Sequence, residues 1–214
     1  MKNRNFINRI ALSTALAGII GAAAVIPQQA TAEQTQMTGA GALSTAARLD
    51  FSIVIPRFLR FRVGTASGTI DLITFSPSAA VVGDGSAVAG AGGDAGGGAE
   101  NVSVLANSGQ VTIATTTSTA TGLSDGAGNF INYNQISTVS SIPGTLPAPV
   151  LANSGIASVT PTISSGAGAN AVTNRVGTWT YTYLNTIAGG VPPAGTYGGV
   201  NTNGGRVTYT ASSP

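Results

Sequence analysis

Few side chains in this chain could carry chemistry, and most of the usual ones are absent. Its 214 residues contain no histidine and no cysteine, and the only lysine is Lys2. Common hydrolytic nucleophiles depend on a nearby base that titrates near neutral pH, or on a thiolate. Triads built on histidine or lysine are therefore excluded, as are cysteine nucleophiles. Seven carboxylates remain: Glu33, Asp50, Asp71, Asp84, Asp94, Glu100 and Asp125. Several stand in glycine-rich stretches, which hold catalytic groups poorly. Asp50 and Asp71 fall in strand-like segments with no evident acidic partner. No catalytic residue is assigned, and the chain reads as a non-enzyme.

The same carboxylates offer little to a metal or cofactor. Calcium takes six to eight oxygens, and its loop motifs repeat acidic residues at short fixed spacing. Asp84-Gly85 and Asp94-Ala95 match no such repeat, and Asp125-Gly126-Ala127-Gly128-Asn129 is only a fragment of one. Turn formation explains these aspartates better, and no cofactor is expected.

Arg57, Arg60 and Arg62 form the one basic cluster, interleaved with Phe58 and Phe61. As a surface-binding candidate it could meet an acidic glycan or a phosphate. As a structural feature it would line the polar face of an edge strand and discourage wrong pairing. The structural reading is preferred. Trp179, Tyr181 and Tyr183 pose a similar choice between a sugar-stacking platform and core packing, and core is the commoner fate of strand aromatics.

The elements that must position these groups read as strands. Leu49, Phe51, Ile53 and Ile55 alternate with smaller or polar residues, and the alternation resumes after Pro56 as Leu59, Phe61 and Val63. Residues 49–63 are thus predicted as one long strand with a kink or bulge at the proline. Further strands are predicted at 69–75, 102–105, 110–115, 129–133 into 136–139, 156–163, 177–184 and 206–211, separated by Gly, Asn, Pro and Ser clusters. Residues 79–100 hold eight glycines in 22 positions and are expected to form a long mobile loop. Residues 33–47 are small and polar apart from Met37 and Leu43, and read as a flexible N-terminal arm. The hexapeptide Val-Leu-Ala-Asn-Ser-Gly occurs at 104–109 and again at 150–155. Reuse of a favourable turn explains it better than duplication of a half-domain.

Lys2, Arg4 and Arg9 precede an apolar run from Ala11 to Ile26, and Ala30-Thr31-Ala32 supplies small residues for cleavage. Residues 1–32 therefore read as a cleaved signal peptide, cut before Glu33, rather than a membrane anchor. Those three are among nine basic residues, whereas all seven acids lie beyond Ala32. The mature chain would hold six basic and seven acidic groups, a net charge of −1. That balance provides no basic surface for nucleic acid or for an anionic membrane. Charged residues make up only 7% of the chain, which removes one device that protects sheet edges from other chains.

An opening LDFSIVIPRFLRFRVG, many Thr/Ser/Gly-rich strands and a closing GTYGGVNTNGGRVTYTAS resemble secreted Ig-like surface subunits of bacteria. Chaperone–usher pilins and spore-coat-U-like proteins are the nearest comparison. The match lies in Gly195-Thr196-Tyr197 and Val207-Thr208-Tyr209-Thr210. The chain lacks the disulfide that many such pilins carry. The resemblance implies an Ig-like antiparallel β-sandwich over residues 48–214, secreted to the cell surface. It also implies assembly into a fibre, pilus or biofilm matrix by strand addition, served by a periplasmic chaperone and usher. Under it, residues 33–47 would be the donor strand, with Met37 and Leu43 as anchors. An extracellular or periplasmic glycan- or surface-binding module is the alternative.

Overall fold

The computed structural model describes residues 35–66, 68–154, 156–186 and 191–214. The expected signal peptide and Glu33 lie outside the described residues. Two units are distinguished, one ending at Val54 and one running from Ile55 to Pro214.

The described residues form twelve strands. The first six are β1 (Leu59–Val63), β2 (Ile73–Thr74), β3 (Val88–Ala89), β4 (Ala91–Gly92), β5 (Ala99–Ala106) and β6 (Thr112–Thr117). The others are β7 (Leu123–Ser124), β8 (Phe130–Ile131), β9 (Ile136–Ser140), β10 (Ala157–Val159), β11 (Thr173–Tyr183) and β12 (Val207–Ser212). Two single-turn 3-10 helices, Tyr133–Gln135 and Gly168–Asn170, are the only helical elements among these residues.

The fold is an all-β antiparallel sandwich. In the larger sheet β11 pairs with β5 from Thr173↔Ala106 to Thr180↔Ala99. β1 lies on the other side of β5, while β9 and β3 pair with the C-terminal part of β11. The smaller sheet has the order β10-β6-β12. Two short hairpin-like pairs, β2–β4 and β7–β8, complete the pairing.

Alternation along β5 decides which side faces the core. Glu100, Val102, Val104 and Ala106 are buried, and the residues between them are half-buried. Opposite them stands β11, whose Trp179, Tyr181 and Tyr183 point inward as the alternation of aromatics predicts. The Trp179 and Tyr209 rings lie 5.3 Å apart, joining the larger sheet to the smaller. The Tyr181 and Tyr209 hydroxyls meet at 2.8 Å, so the polar tips of these buried rings satisfy each other. Trp179, Tyr181 and Tyr183 are thus buried core residues.

Two expectations need correction. Of the long strand predicted over 49–63, only Leu59–Val63 is paired. Phe58 and Pro56 are held by one side chain: the Phe58 N–H donates to Asn107 Oδ1 at 2.8 Å, and Asn107 Nδ2 donates to the Pro56 carbonyl at 2.9 Å. The chain of β5 then turns away at Gly109, which has φ 106°, leaving residues before Pro56 without a neighbouring strand. The glycine-rich stretch 79–100, expected to be mobile, is pinned. It contains β3, β4 and the start of β5, and buried Asn185 accepts from the Gly83 N–H at 2.9 Å and donates to the Val81 carbonyl at 2.5 Å. Gly90 and Gly98 pass so closely that a Cβ on Gly90 would come within 2.8 Å of the Gly98 Cα.

The hexapeptide echo does not mark equivalent structure. In the first copy Val104 is buried in β5 and Leu105 half-buried; in the second, Val150 is exposed and Leu151 buried, outside any strand. The opposite burial phase fits two unrelated uses of one turn sequence.

Trp179→Ala is expected to destabilise the sandwich by about 3–5 kcal/mol in denaturant titration, since it removes a fully buried ring. Val139→Ala, on an exposed position of β9, is expected to stay within about 0.5 kcal/mol of the parent.

Candidate functional site

A mostly apolar groove of about 1120 Å3, with Asp71, Glu100 and Arg206 also on its walls, lies within the unit from Ile55 to Pro214. Phe61 and Val63 of β1, Ile73 and Phe75, Leu123 and Ile131 of the β7–β8 pair, Tyr181 and Tyr183 of β11, and Val207 and Tyr209 of β12 line it. Two of its walls are edge strands. β1 ends the larger sheet and β12 ends the smaller one, so each has one side with no strand partner among the described residues. An apolar trough flanked by unpaired backbone can accept an extended peptide: main-chain bonds supply affinity and alternate side chains fill the trough.

A segment with the complementary character occurs in the same chain. Residues 49–55 are outside any strand, and their apolar side chains face solvent: Phe51 and Ile53 are each 86% exposed and Ile55 74%. Single exposed apolar residues are ordinary, but a run of them in β-alternation is not.

The sequence-derived donor, residues 33–47, is less suited. Thr35 Oγ1 donates to the Ala46 carbonyl at 2.8 Å and Thr45 Oγ1 to the Thr35 carbonyl at 2.9 Å, which closes the described part into a loop. Met37 and Leu43 are 55% and 53% exposed in that loop.

The three arginines do not act as one cluster. Arg57 Nη2 donates to the Ser108 carbonyl at 2.8 Å and also to the Pro214 carbonyl. Arg60 lies over the Phe58 ring with its guanidinium carbon 5.7 Å from the centroid. Arg62 is half-buried, and its Nε is buried with no hydrogen-bond partner. On β1, Arg60 and Arg62 point to the side opposite Phe61 and Val63, as an edge strand's polar face should.

Folding brings together three carboxylates whose spacing in sequence gives no sign of it. Oxygens of Asp71, Asp94 and Glu100 lie within 4.8 Å of one another. Asp71 accepts from the Thr65 N–H at 2.6 Å and Thr65 Oγ1 at 2.8 Å. Asp94 accepts from the Asn101 N–H at 2.6 Å and Nδ2 at 3.1 Å, while the Asp94 N–H donates to Glu100 Oε2 at 3.1 Å. These bonds occupy much of the oxygen capacity a cation would use. Burial, joined by the neighbouring Asp94 and Asp71 carboxyls, pushes the Glu100 carboxyl up to about 7. Burial also acts on Asp94, but the Asn101 hydrogen bonds, Glu100 and the nearby Arg62 charge outweigh it and hold Asp94 below its ordinary value. Asp84 and Asp125 serve turns, as expected: Asp84 Oδ1 accepts from the Ser86 N–H at 2.7 Å, and Asp125 Oδ1 from the Ala127 N–H at 2.8 Å. Asp50 lies in the exposed segment 49–55.

Comparison with protein-family models, with curated proteins and with solved structures finds no match to this chain. No helix among the described residues is long and apolar enough to cross a membrane.

Glu100 makes stability depend on pH in a definite direction. Its folded value, about 7, lies above the ordinary 4.5, so the native state keeps a proton that the unfolded chain has released. The contribution is complete below about pH 4.5 and is lost as pH rises through 7. Melting temperatures measured from pH 4.5 to 8 are expected to fall across this window, and Glu100→Gln is expected to flatten that fall.

Proposed function

We propose that this chain is a secreted, non-enzymatic structural subunit of a bacterial cell-surface fibre, pilus or biofilm matrix, assembled by strand addition between copies. The observation that carries the reading is the apolar groove between the edge strands β1 and β12 of an otherwise well-packed sandwich. Sandwiches normally close such a gap with their own chain, because unpaired edges and open apolar surface invite association. Here the complementary material stands in the exposed segment 49–55, and a second copy can supply it. That segment replaces residues 33–47 as the preferred donor, with Phe51 and Ile53 in place of Met37 and Leu43. A periplasmic chaperone and usher fit the same picture, since a subunit with an open groove needs protection in transit.

A glycan- or surface-binding module finds less support. Its aromatic platform is buried, and Arg57 and Arg60 are taken up by separate structural contacts.

The protein recovered after export is expected to form filaments or heat-resistant oligomers in size-exclusion chromatography and negative-stain electron microscopy. Phe51→Asp and Ile53→Asp are expected to leave folded monomers, because each places a charge where the groove offers apolar walls. Filaments from both variants would remove the 49–55 segment from the assembly.

A further inference from the structure

If copies assemble by strand addition, as proposed above, they must join through a particular edge and register. The free edge of β1 presents Leu59, Phe61 and Val63 on the side of buried Ala106, Val104 and Val102, with which they pair across the sheet. Arg60 and Arg62 occupy the other side. The buried Nε of Arg62 lacks an acceptor. Buried donors are nearly always paired, and an unpaired one calls for an explanation.

The exposed segment carries a matching pattern. In a strand conformation Leu49, Phe51 and Ile53 would share one side, and Asp50 and Ser52 the other. Asp50 is the only acidic residue between Glu33 and Asp71. We propose that residues 49–53 of one copy add antiparallel to the free edge of β1 in a second copy, with Asp50 beside Arg62. That alignment sets Leu49 opposite Val63, Phe51 opposite Phe61 and Ile53 opposite Leu59, so three apolar pairs face the groove while the carboxylate meets the guanidinium on the other side.

Other alignments do worse. A one-residue slip turns every apolar side chain to the wrong face. A two-residue slip one way sets Asp50 beside Arg60 but brings Ile53 against Arg57 in place of an apolar partner; the other way, it brings Asp50 against Gly64 and leaves Arg62 opposite Ser52. Parallel addition gives a slightly weaker ladder. The ion pair excludes one slip and the third apolar pair excludes the other, so together they select the register.

Because the chain has no cysteine, an introduced pair reports contact without background. Asp50→Cys protein is mixed in separate reactions with Arg62→Cys and with Arg60→Cys protein, and intermolecular disulfides are read on non-reducing gels. The expected result is that Arg62→Cys captures Asp50→Cys several-fold more than Arg60→Cys does. Asp50→Arg and Arg62→Asp are each expected to weaken assembly about tenfold, and the doubly swapped chain to recover most of it. Filaments that form with no preference for Arg62→Cys, or that ignore the charge swaps, would overturn the register and leave strand addition standing. A parent protein that never associates would overturn both.

Discussion

The sandwich depends on β11. Its eleven residues accept β5 on one edge and β9 on the other, and its inward side carries Trp179, Tyr181 and Tyr183. A chain with so few charged residues and no disulfide must draw its stability from apolar burial and hydrogen bonding. This strand concentrates both. The Trp179 ring reaches Tyr209 in the opposite sheet, the Tyr181 hydroxyl closes on the Tyr209 hydroxyl, and Asn185, just past the strand's end, collects the backbone of the glycine-rich segment.

The groove follows from where the strands stop. β5 ends at Ala106, opposite the first residue of β1, its chain turns at Gly109, and Asn107 closes the last bonds to residues 56–58. Pro56 has no N–H to continue the ladder in any case. Residues 49–55 lie outside any strand, although they have the composition of one. β12 likewise has β6 on one side only. Open wall and unpaired segment are thus two results of the same truncated pairing.

This truncation also explains what could be read from the sequence. The alternation in Trp179–Tyr183 identified a core face correctly, because those residues have partners on both edges. The same alternation in Leu49–Ile55 was indistinguishable from it, because period-two patterning reports suitability for a sheet and not the presence of a neighbour. Glycine content in 79–100 suggested mobility, whereas order there comes from Asn185, about a hundred residues away, and from the contact of Gly90 with Gly98. The turn roles of Asp84 and Asp125 were legible because the bonds that make those turns, to the Ser86 and Ala127 N–H groups, are local. The Asp71–Asp94–Glu100 cluster was not, since it depends on two loops meeting β5.

Seventeen glycines of the described chain hold positive φ. Each gives up more conformational entropy on folding than any other residue type, so this sandwich carries an unusually large ordering cost for its size. Its margin of stability is correspondingly sensitive to anything that binds only the folded form. An extended segment seated in the groove would raise that margin in proportion to the logarithm of its concentration over its dissociation constant. Under the strand-addition proposal, the glycine-rich chain would then be more durable with its groove filled than as an isolated copy.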